Sequence, residues 1–265
     1  MSMEIIELTV RSCLHLVRVN SETNMHEAMA SGVIIKYQDR FFFCTVAHFS
    51  NRDKRSIGIL TGRLINGDQR EMYEVKDFSN IRCISFEDEP DAEDLEHIFN
   101  NPQNSGTELD IAFTEITLLT NILQERRVFN FDEIGEVIIE EGSKCMLVVD
   151  DNYDIDDSQL CSFYGRIRPR LNNGIIDFGE HLYYGLSIRS ISENYFEMDL
   201  GEPLKDYSRF KGCSGAPIID LRGRIIGLVT HGSSNLTESK IYGIRFDKVK
   251  QWIDLTYFQL PNLKS

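Results

Sequence analysis

Three short segments carry residue types that can do acid–base or nucleophilic chemistry. The first is Thr45-Val46-Ala47-His48, an apolar β-type run ending in a histidine, whose imidazole can both accept and return a proton near neutral pH. The second is Glu108-Leu109-Asp110-Ile111-Ala112-Phe113, where Asp110 sits between apolar residues at the start of a strand-like run. The third is Gly212-Cys213-Ser214-Gly215-Ala216-Pro217, followed by Ile218-Ile219. Taken singly, His48 reads as a satisfied structural histidine and Asp110 as a turn residue. The third segment asks for more. A serine hydroxyl is a poor nucleophile until a base stands beside it and backbone N–H groups face the place where an oxyanion forms. Gly212, two residues before Ser214, lets the N–H groups of Gly212 and Ser214 converge on one oxygen. Gly215, just after it, removes side-chain bulk where substrate must approach. A tight turn between strands explains the glycines but not the serine between them.

The elements around these segments are short β-type runs separated by polar turns. Ser31–Tyr37 and Arg40–Ala47, divided by Gln38-Asp39, read as a hairpin. Further runs fall at Ser56–Leu60, Ile111–Ile116, Val137–Ile139, Cys145–Val149, Leu182–Ile188, Ala216–Ile219, Ile225–Thr230 and Ile241–Phe246. This pattern predicts an all-β barrel or sandwich rather than alternating βαβ units. Helical spacing is plain only near the end, where Val249, Trp252, Ile253 and Tyr257 follow Asp247, read as an N-cap. Ile5–Val10 fits a short helix or a strand.

The 265 residues suffice for one large or two modest cores. Twenty-eight Lys and Arg stand against 42 Asp and Glu, for a net charge of −14. That balance argues against nucleic acid or an anionic membrane as partner. No apolar run approaches the roughly 18 residues of a membrane span. The opening MSMEIIELTV lacks the marks of a secretory signal, so the expected location is the cytoplasm. The six cysteines are scattered, with no Cys-x-x-Cys pair and no zinc spacing, and are expected as reduced thiols. The acidic run Phe86–His97 and the turn-rich Asn100–Gly106 read as a long exposed loop. Asp150, Asn152 and Asp154 have the spacing that opens a calcium loop, but Ile155 and Cys161 stand where that loop needs Gly and Glu. No metal and no cofactor is expected.

In this order, Thr-Val-Ala-His48, Leu-Asp110-Ile-Ala and Gly-Cys-Ser214-Gly-Ala-Pro resemble the three signature blocks of chymotrypsin-like (trypsin-fold) serine proteases. Ser31-Gly32-Val33-Ile34-Ile35, the segment from Gly227 to Gly232 and the closing helix around Trp252 extend the resemblance over about residues 10 to 258. The resemblance implies two antiparallel six-stranded β-barrels with a C-terminal helix. Residues 1–125 would carry His48 and Asp110, and residues 126–265 would carry Ser214. It also implies the family's roles: Ser214 attacks a peptide carbonyl, His48 carries the proton, Asp110 orients His48, and the N–H groups of Gly212 and Ser214 form the oxyanion hole.

Cys213 stands where many members carry the Asp that receives a new N-terminus, so no zymogen step of that kind is expected. Viral members use Gly-x-Cys-Gly, but here only Ser214 has glycines two before and one after it. By the same resemblance, Ser208 lies at the base of the specificity pocket, Thr230-His231-Gly232 forms the wall that pairs with substrate as an added strand, and either Lys240 or Ile241 intrudes. With no Asp at the base, cleavage after Lys or Arg is not expected. Lys240 would favour an acidic side chain, and Ile241 a small one. The function implied is that of an intracellular, bacterial-type serine endopeptidase. A protein or peptide is its substrate and an activating or regulatory protein an expected partner. The alternative is a silent or latent protease-fold binding module.

Overall fold

The computed structural model describes residues 2–23, 25–50, 55–65, 69–81, 109–117, 119, 121–132, 135–149, 155–172, 175–200, 210, 212–234 and 239–259. Ser208, the acidic run at 86–97, the turn-rich 100–106 and Asp150, Asn152 and Asp154 lie outside them. The chain opens with α1 (Met3–Ser12), which buries Ile5, Ile6, Thr9 and Val10 along one face. The first strands are β1 (Leu14–Asn20), β2 (His26–Tyr37), β3 (Arg40–Thr45), β4 (Arg55–Ile65), β5 (Gln69–Val75), β6 (Ser79–Ile81) and β7 (Ile111–Glu115). A one-turn helix, α2 (Ala47–Ser50), follows β3. These strands form a sheet in the order β5-β4-β1-β2-β3-β7-β6.

A connecting stretch carries β8 (Leu123–Gln124), β9 (Arg127–Phe131), β10 (Gly135–Ile139), β11 (Gly142–Ser143) and β12 (Leu147–Val148). It serves both halves: β12 adds in parallel to β2, while Val137 and Ile139 pack into the core of the second half. That half is a closed barrel of β13 (Leu160–Asn172), β14 (Ile175–Ile191), β15 (Tyr195–Asp199), β16 (Pro217–Asp220), β17 (Ile225–Ser234) and β18 (Ser239–Arg245). The chain then enters α3 (Phe246–Ile253) and a π-helical turn, Asp254–Gln259. This is the all-β, two-barrel architecture of the chymotrypsin-like fold, with its C-terminal helix. Among the described residues, no helix is long and apolar enough to cross a membrane.

The hairpin at Gln38-Asp39 turns with φ of 46° and 60° at its two central residues, the left-handed pair that matches the twist of flanking strands. The apolar runs of β2 and β3 are buried on both faces because each face meets a different core. Ile34 and Phe43 point into the first half with Leu16, Ile57 and Ile59. Val33, Ile35, Phe42 and Cys44 point the other way, against Ile219, Leu228 and Ile244 of the barrel and Val249 and Ile253 of α3. A period-two strand with apolar residues at every position is the sequence mark of this double burial. The two halves are thus joined through one continuous apolar layer.

Two sequence expectations change in detail. The N-cap of α3 is Arg245, and Asp247 lies in the first turn, held by the Arg245 guanidinium at 3.0 and 2.8 Å. An acidic residue there still complements the N-terminal end of the helix dipole. His48 does not end a strand, since β3 stops at Thr45 and His48 sits in α2.

Candidate active site

The register of the first sheet brings His48 and Asp110 together. Thr45 of β3 pairs with Ala112 of β7, so the residues just past the end of one strand lie beside those just before the start of the other. Asp110 then grips His48 at two points: Oδ2 lies 2.7 Å from Nδ1, and Oδ1 accepts the His48 backbone N–H at 2.9 Å. The two contacts fix both the ring and the backbone that carries it. The carboxylate is largely covered and the imidazole is about half exposed. The Tyr195 hydroxyl accepts the Asp110 N–H at 3.4 Å, tying β15 of the barrel to this pair.

Ser214 comes from the other half, on the tight turn that leads into β16. The Gly215 N–H donates to Val229 O at 2.7 Å, and Ala216 N–H to Cys213 O at 2.8 Å. Because the peptide is planar and trans, fixing the Cys213 carbonyl fixes the Ser214 N–H on the opposite side. Among the described residues that N–H has no acceptor, which leaves it available to an incoming oxygen. Gly212, the second expected oxyanion donor, pairs with Arg166 of β13 in an isolated antiparallel bridge. Ser214 Oγ donates to Thr230 O at 3.2 Å, and among the described residues it makes no hydrogen bond to His48.

The glycine after the serine has a packing reason of its own. Gly215 has φ of +86°, and a Cβ there would fall 2.1 Å from Ser31 O and 2.5 Å from Thr45 Oγ1. Its smoothness serves the seating of the turn on β2 and β3, in a backbone conformation L side chains avoid. Cys213 is fully buried, its Sγ 3.4 Å from Arg166 O and packed against Gly165, and burial pushes its thiol far above the ordinary range. A thiol so placed is inert, since the thiolate is the nucleophilic form. Behind the bridge to Gly212, the buried Arg166 side chain approaches Glu180, which also binds Arg127 and accepts from Tyr164 Oη at 2.5 Å. Burial would raise the Glu180 carboxyl, but these partners outweigh it and hold the group below its usual value.

The expected substrate wall is an edge of the barrel. Thr230 is buried, its Oγ1 lying 3.0 Å from His231 Nδ1 and donating to Tyr242 O at 3.1 Å. The exposed His231 ring stacks on Tyr242 at 4.7 Å. Partial burial lowers the His231 pKa, the Asp110 charge opposes that and His48 adds to it, so this second imidazole lies within electrostatic reach of the pair. Gly232 continues β17 opposite Ile241. Of the two residues proposed to intrude into the pocket, Ile241 is fully buried in the barrel core, whereas Lys240 faces outward and forms an ion pair with Glu197 at 3.0 Å.

The sequence reading missed Ser31, Thr45, Tyr195 and Arg166 as supports of the site. For the first two the signal was present: a small polar residue opens the apolar run of β2, and a threonine stands inside the block that leads to His48.

Fold and site together define a chymotrypsin-like two-barrel protein with a paired His and Asp on one half and a Gly-x-Ser-Gly turn on the other. No protein-family model matches the chain, and no curated protein sequence does. Solved structures do. Human heparin binding protein is similar with a TM-score of 0.52 at 12% identity, covering 94% of this chain and 92% of that one. The serine endoprotease from Yersinia pestis is similar with a TM-score of 0.53 at 13% identity, covering 96% of this chain and 66% of that one. At these identities the likeness is one of fold, and it includes a protein named for binding beside one named for proteolysis.

Proposed function

We propose that the chain is a serine endopeptidase acting on protein or peptide substrates. The observation that carries this reading is the two-point grip of Asp110 on His48, which engages Nδ1 and leaves Nε2 as the nitrogen to carry the proton. A purely structural histidine needs no such arrangement beside a Gly-x-Ser-Gly turn. In the proposed reaction Ser214 Oγ attacks the scissile carbonyl while its proton passes to His48 Nε2. The oxyanion is met by the Ser214 N–H, with the N–H of Gly212 as the expected second donor. Collapse breaks the C–N bond, His48 returns the proton to the leaving amine, and an ester to Ser214 remains. Water then attacks the ester with His48 as base, which releases the acid and restores the hydroxyl. Cys213 takes no part. The expected setting, read from the sequence, is a bacterial-type cytoplasm in which an activator or narrow specificity restrains the enzyme.

A second reading has its own observation. Ser214 Oγ is engaged with Thr230 O, as suits a latent enzyme or a protease-fold module that binds a partner without turnover. Labelling with a fluorophosphonate separates the two. Covalent modification of the wild type, absent in Ser214→Ala and His48→Ala and retained in Cys213→Ala, supports the peptidase. A folded wild type that is never modified, with or without candidate partners, overturns it.

A further inference from the structure

We propose that Ser31 is a positioning residue that sets the nucleophile turn against the strand leading to His48. The inference rests on the peptidase reading and deepens it. Ser31 lies at a fully buried position in β2, on the opposite half of the molecule from the turn. All three of its polar groups are committed. Its Oγ donates to Gly212 O at 2.8 Å, its N–H donates to Ser214 O at 2.7 Å, and its carbonyl accepts the Thr45 hydroxyl at 2.7 Å. The carbonyls of Gly212 and Ser214 are those on either side of Cys213-Ser214, so one residue anchors the peptide planes that flank the Ser214 N–H. Thr45 completes the link, because it is three residues before His48 on the strand that places the imidazole.

The turn is therefore clamped from both halves. Arg166 and Gly165 hold Gly212 and Cys213 on the barrel side, and Ser31 with Thr45 holds Gly212, Ser214 and Gly215 on the other. An oxyanion donor is effective only when its direction is fixed before the charge develops. The hydroxyl of Ser31 contributes nothing to substrate binding, since it is buried beneath the turn. Its loss would free the Gly212 carbonyl and let the turn sample other orientations, which lowers the acylation rate while leaving substrate affinity alone. That split distinguishes a positioning role from a contact with substrate.

The test compares full-length wild type, Ser31→Ala, and Val33→Ala as a control that opens a cavity on the same strand without touching the turn. Acylation by a fluorophosphonate and turnover of an oligopeptide ester are measured well below each melting temperature. Ser31→Ala should acylate roughly 10- to 100-fold more slowly, with KM within about twofold, while Val33→Ala keeps a rate near wild type despite its lower stability. Equal rates for Ser31→Ala and wild type, or equal slowing in both variants, overturn the inference. If the wild type itself resists acylation, it is the peptidase reading that fails. The role of Ser31 is then decided by the Ser214 amide resonance: Ser31→Ala should displace or broaden it, and an unchanged resonance overturns the proposal.

Discussion

The hydroxyl of Ser214 donates to the carbonyl of Thr230 at 3.2 Å, so the nucleophile of the proposed reaction is held by the substrate wall and not by its base. Among the described residues it makes no hydrogen bond to His48, and the proposed turnover requires that this bond form. Contacts of this kind often tighten only when substrate binds. A substrate strand lying along β17 would compete for the same edge.

The grip on His48 predicts the effect of Asp110→Asn. Asn keeps the size of the carboxylate and an oxygen for the His48 N–H, but it presents an amide donor to Nδ1. The ring must then carry its proton on Nε2, the nitrogen that should accept one. The expected loss in kcat is about 10⁴-fold with little change in KM. Steady-state kinetics on an oligopeptide ester measure it, and a loss below tenfold would remove Asp110 from the mechanism.

Gly215 in the turn and Gly165 of β13 behind it predict where space is already exhausted. Gly215→Ala places a methyl 2.1 Å from Ser31 O at φ of +86°, and Gly165→Ala places one 2.8 Å from Cys213 Sγ and 3.0 Å from Cys213 Cα. Both should lower stability, Gly215→Ala by about 2–4 kcal/mol and Gly165→Ala by about 1–3 kcal/mol. Denaturant melts give the stability and fluorophosphonate labelling the activity. A Gly215→Ala protein with wild-type stability would mean that the turn is not seated against β2 as described.

The same contrast explains what the sequence could and could not reveal. The β2–β3 hairpin was legible because Gln38-Asp39 divides two apolar runs, and the site blocks because their residue types keep a recognisable order. β1, with Arg18 among its apolar residues, and β5, rich in charge, lack the alternating pattern and were not read as strands. Their place comes from pairing with β4, a tertiary contact that local propensity does not encode. Ser31 was read as part of a strand opening, but its bond to Gly212, 181 residues away, could not be seen along the chain.

His231 predicts a pH effect whose sign follows from its neighbours. Burial lowers its pKa, so its NMR titration midpoint should fall below the ordinary histidine value of about 6.5. Asp110→Asn removes the charge that opposes this shift and should lower the midpoint further. His48→Ala removes a repelling cation and should raise it. Because the folded value is depressed, the unfolded chain binds more protons as pH falls through the ordinary range, and His231 costs the native state stability in acid. His231→Gln, which also assigns the resonance among the six histidines, should be less acid-sensitive than wild type. A midpoint at or above the ordinary value, or one indifferent to both substitutions, would separate His231 from the site.

Lys240 carries the last prediction, about substrate preference. The resemblance places it or Ile241 at the specificity pocket, and the Ile241 side chain is in the barrel core. Lys240 does not offer a bare positive charge, because Glu197 Oε1 lies 3.0 Å from its Nζ and is the more buried partner. An acidic substrate side chain would have to compete with that carboxylate, which removes much of the reason to expect acidic preference in the native protein. Glu197→Gln keeps the shape and removes that competing carboxylate. Its cleavage profile on a peptide library should shift toward Asp or Glu before the scissile bond by about tenfold relative to Gln or Ala, a difference of about 1.4 kcal/mol. Lys240→Met should show no such gain, and neither should the double variant. If Glu197→Gln leaves the profile unchanged, Lys240 does not face the substrate, and the preference must come from elsewhere in the wall.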